Sequence, residues 1–122
     1  MKRSTTGIQR IVDATGFSIK GLRACWENEA AFRQNLMLAL VLLIASFFLA
    51  RSVEQWLLLV FPLFIIIIVE LLNSAIENAI DRIGHEIHEL SGRAKDMASA
   101  AVLVCHFLIA TIWISIAWNN LS

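Results

Sequence analysis

Four polar side chains follow an apolar run in the middle of the chain, at spacings that match one face of a helix. The almost purely apolar stretch from residue 56 to 69 is followed by Glu70, Asn73, Glu77 and Asp81. Because a helix turns about 100° per residue, separations of three, seven and eleven residues place these side chains on a single stripe. A carboxylate beside hydrocarbon costs on the order of a few kcal/mol. We therefore interpret the stripe as a site of chemistry at a lipid surface.

The elements that must position this stripe are predicted to be membrane helices. Three stretches are long and apolar enough to cross a bilayer, which needs about 20 residues, and we expect transmembrane helices over residues 29–50, 53–83 and 91–119. The second helix continues past the membrane on its polar side. Hydrophobic residues make up 58% of the 122 residues, too many for an ordinary soluble domain. The sequence predicts an all-α integral membrane protein with one domain over residues 1–122.

An amphipathic segment precedes the first span, over about residues 5–26. Its apolar residues recur at three- and four-residue steps: Ile8, Ile11, Val12, Thr15, Ile19, Leu22 and Trp26. Such a helix lies flat in the headgroup region, and we expect Gly16 and Gly21 to break it into pieces. A simple membrane anchor is the plainer interpretation of this segment.

The positive charges predict the orientation of the chain. Six basic residues precede or begin the first span and three lie between the second and third spans, whereas only Arg51 lies between the first and second. By the positive-inside rule, the N-terminus and the second loop are cytoplasmic and the C-terminus is outside. The formal net charge is zero, so bulk charge predicts neither nucleic acid nor an acidic partner.

Depth in the membrane links Glu70 to two further acids. Glu70 follows Trp56, at the outer interface, by 14 residues, which is roughly 21 Å of helix in a hydrocarbon core about 30 Å thick. Glu77 lies ~10 Å further on, at the water boundary, and Glu29 directly precedes the first span at the same boundary. This arrangement suits phosphoryl transfer from a soluble nucleotide to a membrane-held alcohol.

The residue types fit separate roles in such a reaction. Glu70 would accept the proton of the alcohol, because a carboxyl group away from water becomes a better base near neutral pH. Glu29 and Glu77 would hold Mg²⁺, a hard ion that prefers a few carboxylates plus phosphate oxygens. Asn73 would orient Glu70 or a bound water. The alternative is that the stripe is polar contact between helices of an oligomer.

The second loop adds weaker signals. Ser91 is expected to cap the third helix, and backbone N–H groups there, with Arg93 and Lys95, could meet phosphate. An ordinary solvated loop is the plainer interpretation. His85 and His88 are spaced His-Glu-x-His, which does not match the metalloprotease pattern and argues against zinc.

Other candidate residues are interpreted as structural. His106 is a lone histidine in an apolar span, which is typical of a packing contact. Cys25 and Cys105 are interpreted as inert small apolar residues, without a disulfide framework. Neither a Walker-type phosphate loop nor a protein-kinase glycine loop is present. Three helices enclose too little to shield several carboxylates from lipid, so we expect an oligomer with a site shared between subunits.

Several motifs together resemble one family. They are Val69–Glu77 with Asp81-Arg82, His88–Met97, Thr5–Gly7, Gly21–Ala24 and Asn28–Gln34. In these the chain resembles the prokaryotic diacylglycerol kinases, which are small integral membrane lipid kinases. The resemblance implies a homotrimer in the bacterial inner membrane, each subunit with a surface helix and three transmembrane helices. It also implies Mg²⁺-dependent transfer of the ATP γ-phosphate to diacylglycerol, giving phosphatidate.

The resemblance assigns roles residue by residue. Glu70 matches the catalytic base, and Glu29 and Glu77 match the acids that bind the divalent metal and, through it, ATP. The other positions that match nucleotide contacts are Arg10, Phe17, Glu86, Ile87, His88, Lys95 and Asp96. The positions that match lipid contacts are Arg10, Ala14, Thr15, Gly16, Phe17, Ser18, Ile19, Arg23, Ala24, Cys25, Trp26, Ala31, Phe32, Arg33, Gln34, Asn35, Trp56, Glu70, Ser99 and Trp113.

The chain departs from the family pattern at a few positions. Phe17 stands where a tyrosine is expected, which preserves stacking on a base but removes a hydroxyl contact. Asn35 replaces an acidic residue, and residues 48–53 are divergent.

Two rival functions stay open at the level of sequence. Relatives that phosphorylate undecaprenol use the same machinery on a different alcohol, although the N-terminal helix of this chain is closer to the diacylglycerol enzymes. A non-enzymatic channel or structural subunit would also carry intramembrane acids.

Overall fold

The computed structural model describes residues 6–84 and 88–122, and the regular secondary structure in these ranges is all helical. Four helices follow one another as α1 (Gly7–Asn28), α2 (Ala30–Leu49), α3 (Val53–Ile83) and α4 (Glu89–Leu121). The last three are long and apolar enough to cross a membrane. The sequence predicted the bounds of α3, and it predicted those of α2 to within one residue.

Helix α1 is continuous, so the predicted break at Gly16 and Gly21 is wrong. Neither glycine has a positive φ, and a Cβ at either position would meet no heavy atom within 4 Å. A glycine inside a helix costs only about 0.5–1 kcal/mol relative to alanine. The two glycines therefore weaken the helix without interrupting it.

A single extended residue separates α1 from α2. Glu29 has φ −121° and ψ 106° and forms the boundary of both helices. Arg33 stabilises this hinge, because its Nη1 donates to the carbonyl oxygens of Trp26 at 2.7 Å and Glu27 at 3.4 Å. These carbonyls lie in the last turn of α1, where they have no partner in the helix. The hinge therefore fixes where the Glu29 carboxylate emerges. We call this side of the bundle the hinge end.

Helix α3 is the centre of the bundle and packs against both α2 and α4. The core between the three helices consists of Ala39, Leu63, Ile66, Cys105 and Ile109. Small side chains at two of these positions let the helix backbones approach closely, as is common in membrane proteins. Large apolar side chains on the outer faces remain exposed, as expected for helices that contact lipid or other subunits.

Helix α4 begins two residues earlier than predicted, so the cap assigned to Ser91 is wrong. His88 occupies the cap position, and its Nδ1 accepts a hydrogen bond from the backbone N–H of Leu90 at 3.1 Å. An imidazole nitrogen thus satisfies a free N–H of the first turn, and Ser91 lies inside the helix.

At the end of the bundle opposite the hinge, the buried side-chain amide of Asn120 links three helices. Asn120 donates to the carbonyl oxygen of Leu49 and to Gln55 Oε1, each at 2.8 Å, and Gln55 Nε2 donates back to Asn120 Oδ1 at 3.1 Å. Arg51 donates to the Asn120 carbonyl oxygen. These contacts connect α2, α3 and α4.

Candidate active site at the hinge end

The carboxyl group of Glu70 is buried in the bundle, with only 2% of the residue exposed. Its Oε1 accepts a hydrogen bond from Asn35 Nδ2 at 2.7 Å. Its Oε2 is also buried, and within residues 6–84 and 88–122 it has no hydrogen-bond partner. A carboxylate oxygen left without a donor costs free energy. One oxygen of Glu70 therefore keeps hydrogen-bonding capacity that the described residues do not use.

The amide that holds Glu70 is itself held by a third helix. Asn35 Oδ1 lies 2.9 Å from His106 Nε2. The three side chains therefore form one hydrogen-bonded chain across α2, α3 and α4. Sequence reasoning assigned Asn35 only to lipid contact and His106 only to packing. The available signal was the presence of both polar side chains in apolar spans.

Glu29 reaches α3 through a second amide. Its Oε1 accepts from Asn78 Nδ2 at 3.2 Å, and the same amide donates to the Ser74 carbonyl oxygen at 2.7 Å. Asn78 was not predicted as a site residue. It follows Glu77 directly, so the contact brings the hinge carboxylate to the turn of α3 that carries Glu77.

Cys25 docks α1 on α3 beside this contact. Its Sγ donates to Ser74 Oγ at 3.4 Å, and burial raises the pKa of the Cys25 thiol. A thiol that stays protonated is a poor nucleophile, in agreement with the structural role predicted from the sequence.

Glu77 accepts a hydrogen bond from a residue of its own helix, α3. Asn73 Nδ2 donates to Glu77 Oε1 at 3.2 Å, whereas Asn73 Oδ1 is buried and has no partner within the described parts of the chain. Asn73 therefore orients Glu77 rather than Glu70, whose amide partner is Asn35. Glu29 and Glu77 are both close enough to Glu70 to interact with its charge.

A cavity lies between α1 and α3 beside Glu29. Its volume is about 490 Å³, within the range of small-molecule sites. Glu29, Asn78, Cys25 and Ser74 are among the residues that line it. Across residues 6–84 and 88–122 no group of three or more His, Cys, Asp or Glu side chains could hold a metal by itself. A metal here would need ligands from a substrate in addition to Glu29 and Glu77.

The residues predicted to lie near the nucleotide have different surroundings in the structure. Lys95 Nζ pairs with Asp81 Oδ1 at 2.7 Å, and His88 caps α4. Arg10 and Asp96 are exposed, and the Phe17 ring lies 5.8 Å below the Lys20 ammonium. The predictions for Glu86 and Ile87 fall outside the described residues.

The residues predicted to contact lipid also differ in how exposed their side chains are. Cys25 and Phe32 are buried inside the subunit, and Arg33 bonds the hinge carbonyls, which leaves little of these side chains for a lipid. Those exposed are Ala14, Thr15, Gly16, Ser18, Ile19, Arg23, Ala24, Trp26, Ala31, Gln34 and Ser99.

Two of the three tryptophans in the predicted lipid set, Trp56 and Trp113, lie away from Glu70. Trp56 precedes Glu70 by about 21 Å along α3, and Trp113 Nε1 donates to the Leu59 carbonyl oxygen at 3.0 Å. They can therefore contact only the remote part of a long substrate bound at Glu70.

The fold and site define a class of protein: a small helical membrane protein with a buried carboxyl group below two further acids. Comparison with known proteins narrows the class. The chain belongs to the prokaryotic diacylglycerol kinase family, whose model matches residues 16–117.

Relatives match over most of their length. The chain is 48% identical over 120 residues to the diacylglycerol kinase of Escherichia coli K12, covering 98% of each chain. It is 44% identical over 114 residues to that of Pseudomonas aeruginosa, covering 93% of each. It is 40% identical over 109 residues to that of Haemophilus influenzae, covering 89% of this chain and 92% of the relative.

Proposed function

We propose that the chain is a diacylglycerol kinase, which transfers the γ-phosphate of ATP to the free hydroxyl of sn-1,2-diacylglycerol and produces phosphatidate. The observation that carries this proposal is the buried Glu70 carboxyl group, with Oε1 fixed by Asn35 and Oε2 unpartnered. The names of the relatives support the same substrate.

In the proposed reaction the alcohol oxygen bonds to the γ-phosphorus and the bond from phosphorus to the ADP oxygen breaks. Glu70 Oε2 accepts the proton of the alcohol as its oxygen becomes nucleophilic. Asn35 keeps Oε1 occupied, so the proton is received at the other oxygen. Because Glu70 lies about two turns of helix below Glu77, the acceptor hydroxyl can remain within the membrane while the nucleotide stays in water.

Glu29 and Glu77 fit a role in holding Mg²⁺ together with the ATP phosphates. Each accepts one amide hydrogen bond at Oε1, and a carboxylate has lone pairs left for a hard cation. Both residues are half-buried, at the edge of the bundle where a soluble nucleotide can reach them. Bound there, Mg²⁺ would neutralise charge that develops on the phosphates. Arg10, Phe17, Lys95 and Asp96 are the further candidates for nucleotide contact.

We further propose that the protein acts as a homotrimer in the bacterial inner membrane, with the hinge end cytoplasmic and sites shared between subunits. Exposed apolar faces and the unpartnered Asn73 Oδ1 support assembly, and the positive charges support the orientation. Labelling of whole cells with an impermeant maleimide tests the orientation. Glu54→Cys should react from outside, and Glu89→Cys only after permeabilisation; the reverse pattern would place the hinge end outside.

A mixed-micelle assay tests the kinase function. Purified protein receives ATP labelled at the γ-phosphate, Mg²⁺ and either diacylglycerol, undecaprenol or no alcohol. We expect label in phosphatidate and little elsewhere. If the protein prefers undecaprenol, the proposed substrate is wrong, but the assignment as a lipid kinase stands. Ion flux in vesicles without transfer to either alcohol would favour a channel instead.

A further inference from the structure

The side chain of His106 lies in the apolar part of α4, and within residues 6–84 and 88–122 no hydrogen bond joins it directly to Glu70, Glu29 or Glu77. Its Nε2 is 2.9 Å from Asn35 Oδ1, and Asn35 Nδ2 is 2.7 Å from Glu70 Oε1. Each of the three residues belongs to a different helix. A chain of hydrogen bonds like this one fixes its side chains only if each bond pairs one donor with one acceptor.

The order is determined by chemistry. An ionised carboxylate only accepts hydrogen bonds, so the Asn35 group that faces Glu70 must be the NH₂. The Asn35 carbonyl oxygen then faces His106 and requires a donor. His106 must therefore carry a proton on Nε2, either as the neutral Nε2–H form or as the imidazolium.

We infer that His106 is a positioning residue for the proton acceptor: through Asn35 it holds Glu70 Oε1 and so directs the unpartnered Oε2 to the substrate hydroxyl. Without His106, the Asn35 amide can rotate about its last torsion and present its carbonyl oxygen to Glu70, which repels the carboxylate. With His106 in place that rotation would set an N–H donor against an N–H donor. The inference deepens the proposed kinase function and rests on it.

Substitutions at His106 test the inference. His106→Leu removes the donor, and we expect kcat for diacylglycerol phosphorylation to fall by about tenfold, the usual effect of one hydrogen bond. The KM values for ATP and diacylglycerol should change by less than about twofold, because neither substrate touches His106. His106→Gln keeps an N–H donor of similar reach and should retain most of the activity. Equal kcat for His106→Leu and the wild-type protein would overturn the inference.

A double-mutant cycle separates positioning from a general loss of packing. If His106 acts only through Asn35, adding His106→Leu to Asn35→Leu should cause no further loss of kcat. Losses that multiply would show that His106 acts by another route and would overturn the inference.

A spectroscopic readout does not depend on activity. In protein with ¹⁵N-labelled histidine, His106 is assigned by comparison with His106→Gln, and we expect its Nε2 to be protonated. Asn35→Leu should abolish that preference. A His106 with a proton on Nδ1 and none on Nε2 would overturn the inference even if the protein is active. Wild-type protein that phosphorylates no alcohol would instead defeat the proposed function.

Discussion

The two oxygens of the Glu70 carboxyl group have different environments, although both are buried. One is held by Asn35 and the other has no partner within residues 6–84 and 88–122. Leaving a buried polar atom unpaired costs about 1–3 kcal/mol, and such costs concentrate at functional sites. The cost is understandable if a substrate hydroxyl completes the hydrogen bonding of Oε2.

Replacing the proton acceptor should stop the chemistry and preserve the fold. Glu70→Gln keeps an oxygen for Asn35 to bond but cannot take a proton. We expect kcat to fall by about 100-fold to 10,000-fold, the usual contribution of a general base. ATP binding and the thermal midpoint should change little. Labelled-ATP turnover and equilibrium ATP binding measure the two effects. Glu54→Gln, in the first turn of α3 at the opposite end, is the control, and near-normal turnover of Glu70→Gln would refute the assignment.

The two acids at the hinge end should behave differently from Glu70. Glu29→Gln and Glu77→Gln each remove one charged ligand for Mg²⁺ but leave the proton acceptor intact. We expect the Mg²⁺ concentration needed for half activity and the KM for ATP to rise by about tenfold each, with kcat at saturation less affected. Mg²⁺ titrations at fixed ATP measure this. An unchanged Mg²⁺ requirement in both variants would remove these residues from the metal site.

The sequence could indicate Glu29, Glu70 and Glu77 because residue counts along straight helices place Glu70 inside the membrane and Glu29 and Glu77 at one common depth near its surface. It could not indicate the contact between Asn35 and His106. A contact between residues 71 positions apart can be predicted only when the rotation of the two packed helices about their axes is known. That rotation is set by the small core residues. Asn73 was expected to orient Glu70 or a bound water for the same reason, since the geometry of one helix cannot show that Asn35 already bonds Glu70.

At the scale of helices, local chemistry determines the boundaries. The start of α3 follows a residue type that favours helix starts, because the Ser52 side chain accepts from the Gln55 N–H at 3.1 Å. The start of α4 does not, because His88 caps it through a ring nitrogen. Helix α1 was expected to break at its glycines, yet the docking of Cys25 on Ser74 and the Arg33 contacts hold its C-terminal end in place.

The amide cluster at the opposite end should control stability and not catalysis. Asn120→Leu removes the hydrogen bonds to Leu49 and Gln55. The Leu49 carbonyl oxygen and Gln55 Nε2 lose this partner, whereas Gln55 Oε1 still accepts from the Arg51 N–H. We expect a loss of about 1–3 kcal/mol of unfolding free energy, measured by denaturant titration in detergent, with normal turnover at low temperature. Ser115→Ala, which removes only a bond within α4, is the matched control. Equal stability of the two variants would show that the cluster is dispensable.

At the scale of the whole molecule, a single chain leaves a groove open on its surface. A groove of about 500 Å³ runs between α3 and α4, lined in part by Val69, Asn73, Ala98 and Ala101. The buried Asn73 Oδ1 has no partner among the described residues. Small residues allow another helix to approach closely, so the groove is the face where we expect a neighbouring subunit to pack.

A bulky side chain in this groove should therefore separate the subunits. Ala101→Trp would occupy the space of the neighbouring helix, and we expect the mass in mild detergent to fall from that of a trimer to smaller species. Turnover should fall with it if the site is shared. Ala100→Trp is the matched control, since its side chain points about 100° away and does not line the groove. The mass of each variant, measured by light scattering with detergent correction, decides the question. A trimeric, fully active Ala101→Trp would show that this groove faces lipid, and an active monomer of the wild-type chain would show that one subunit holds the complete site.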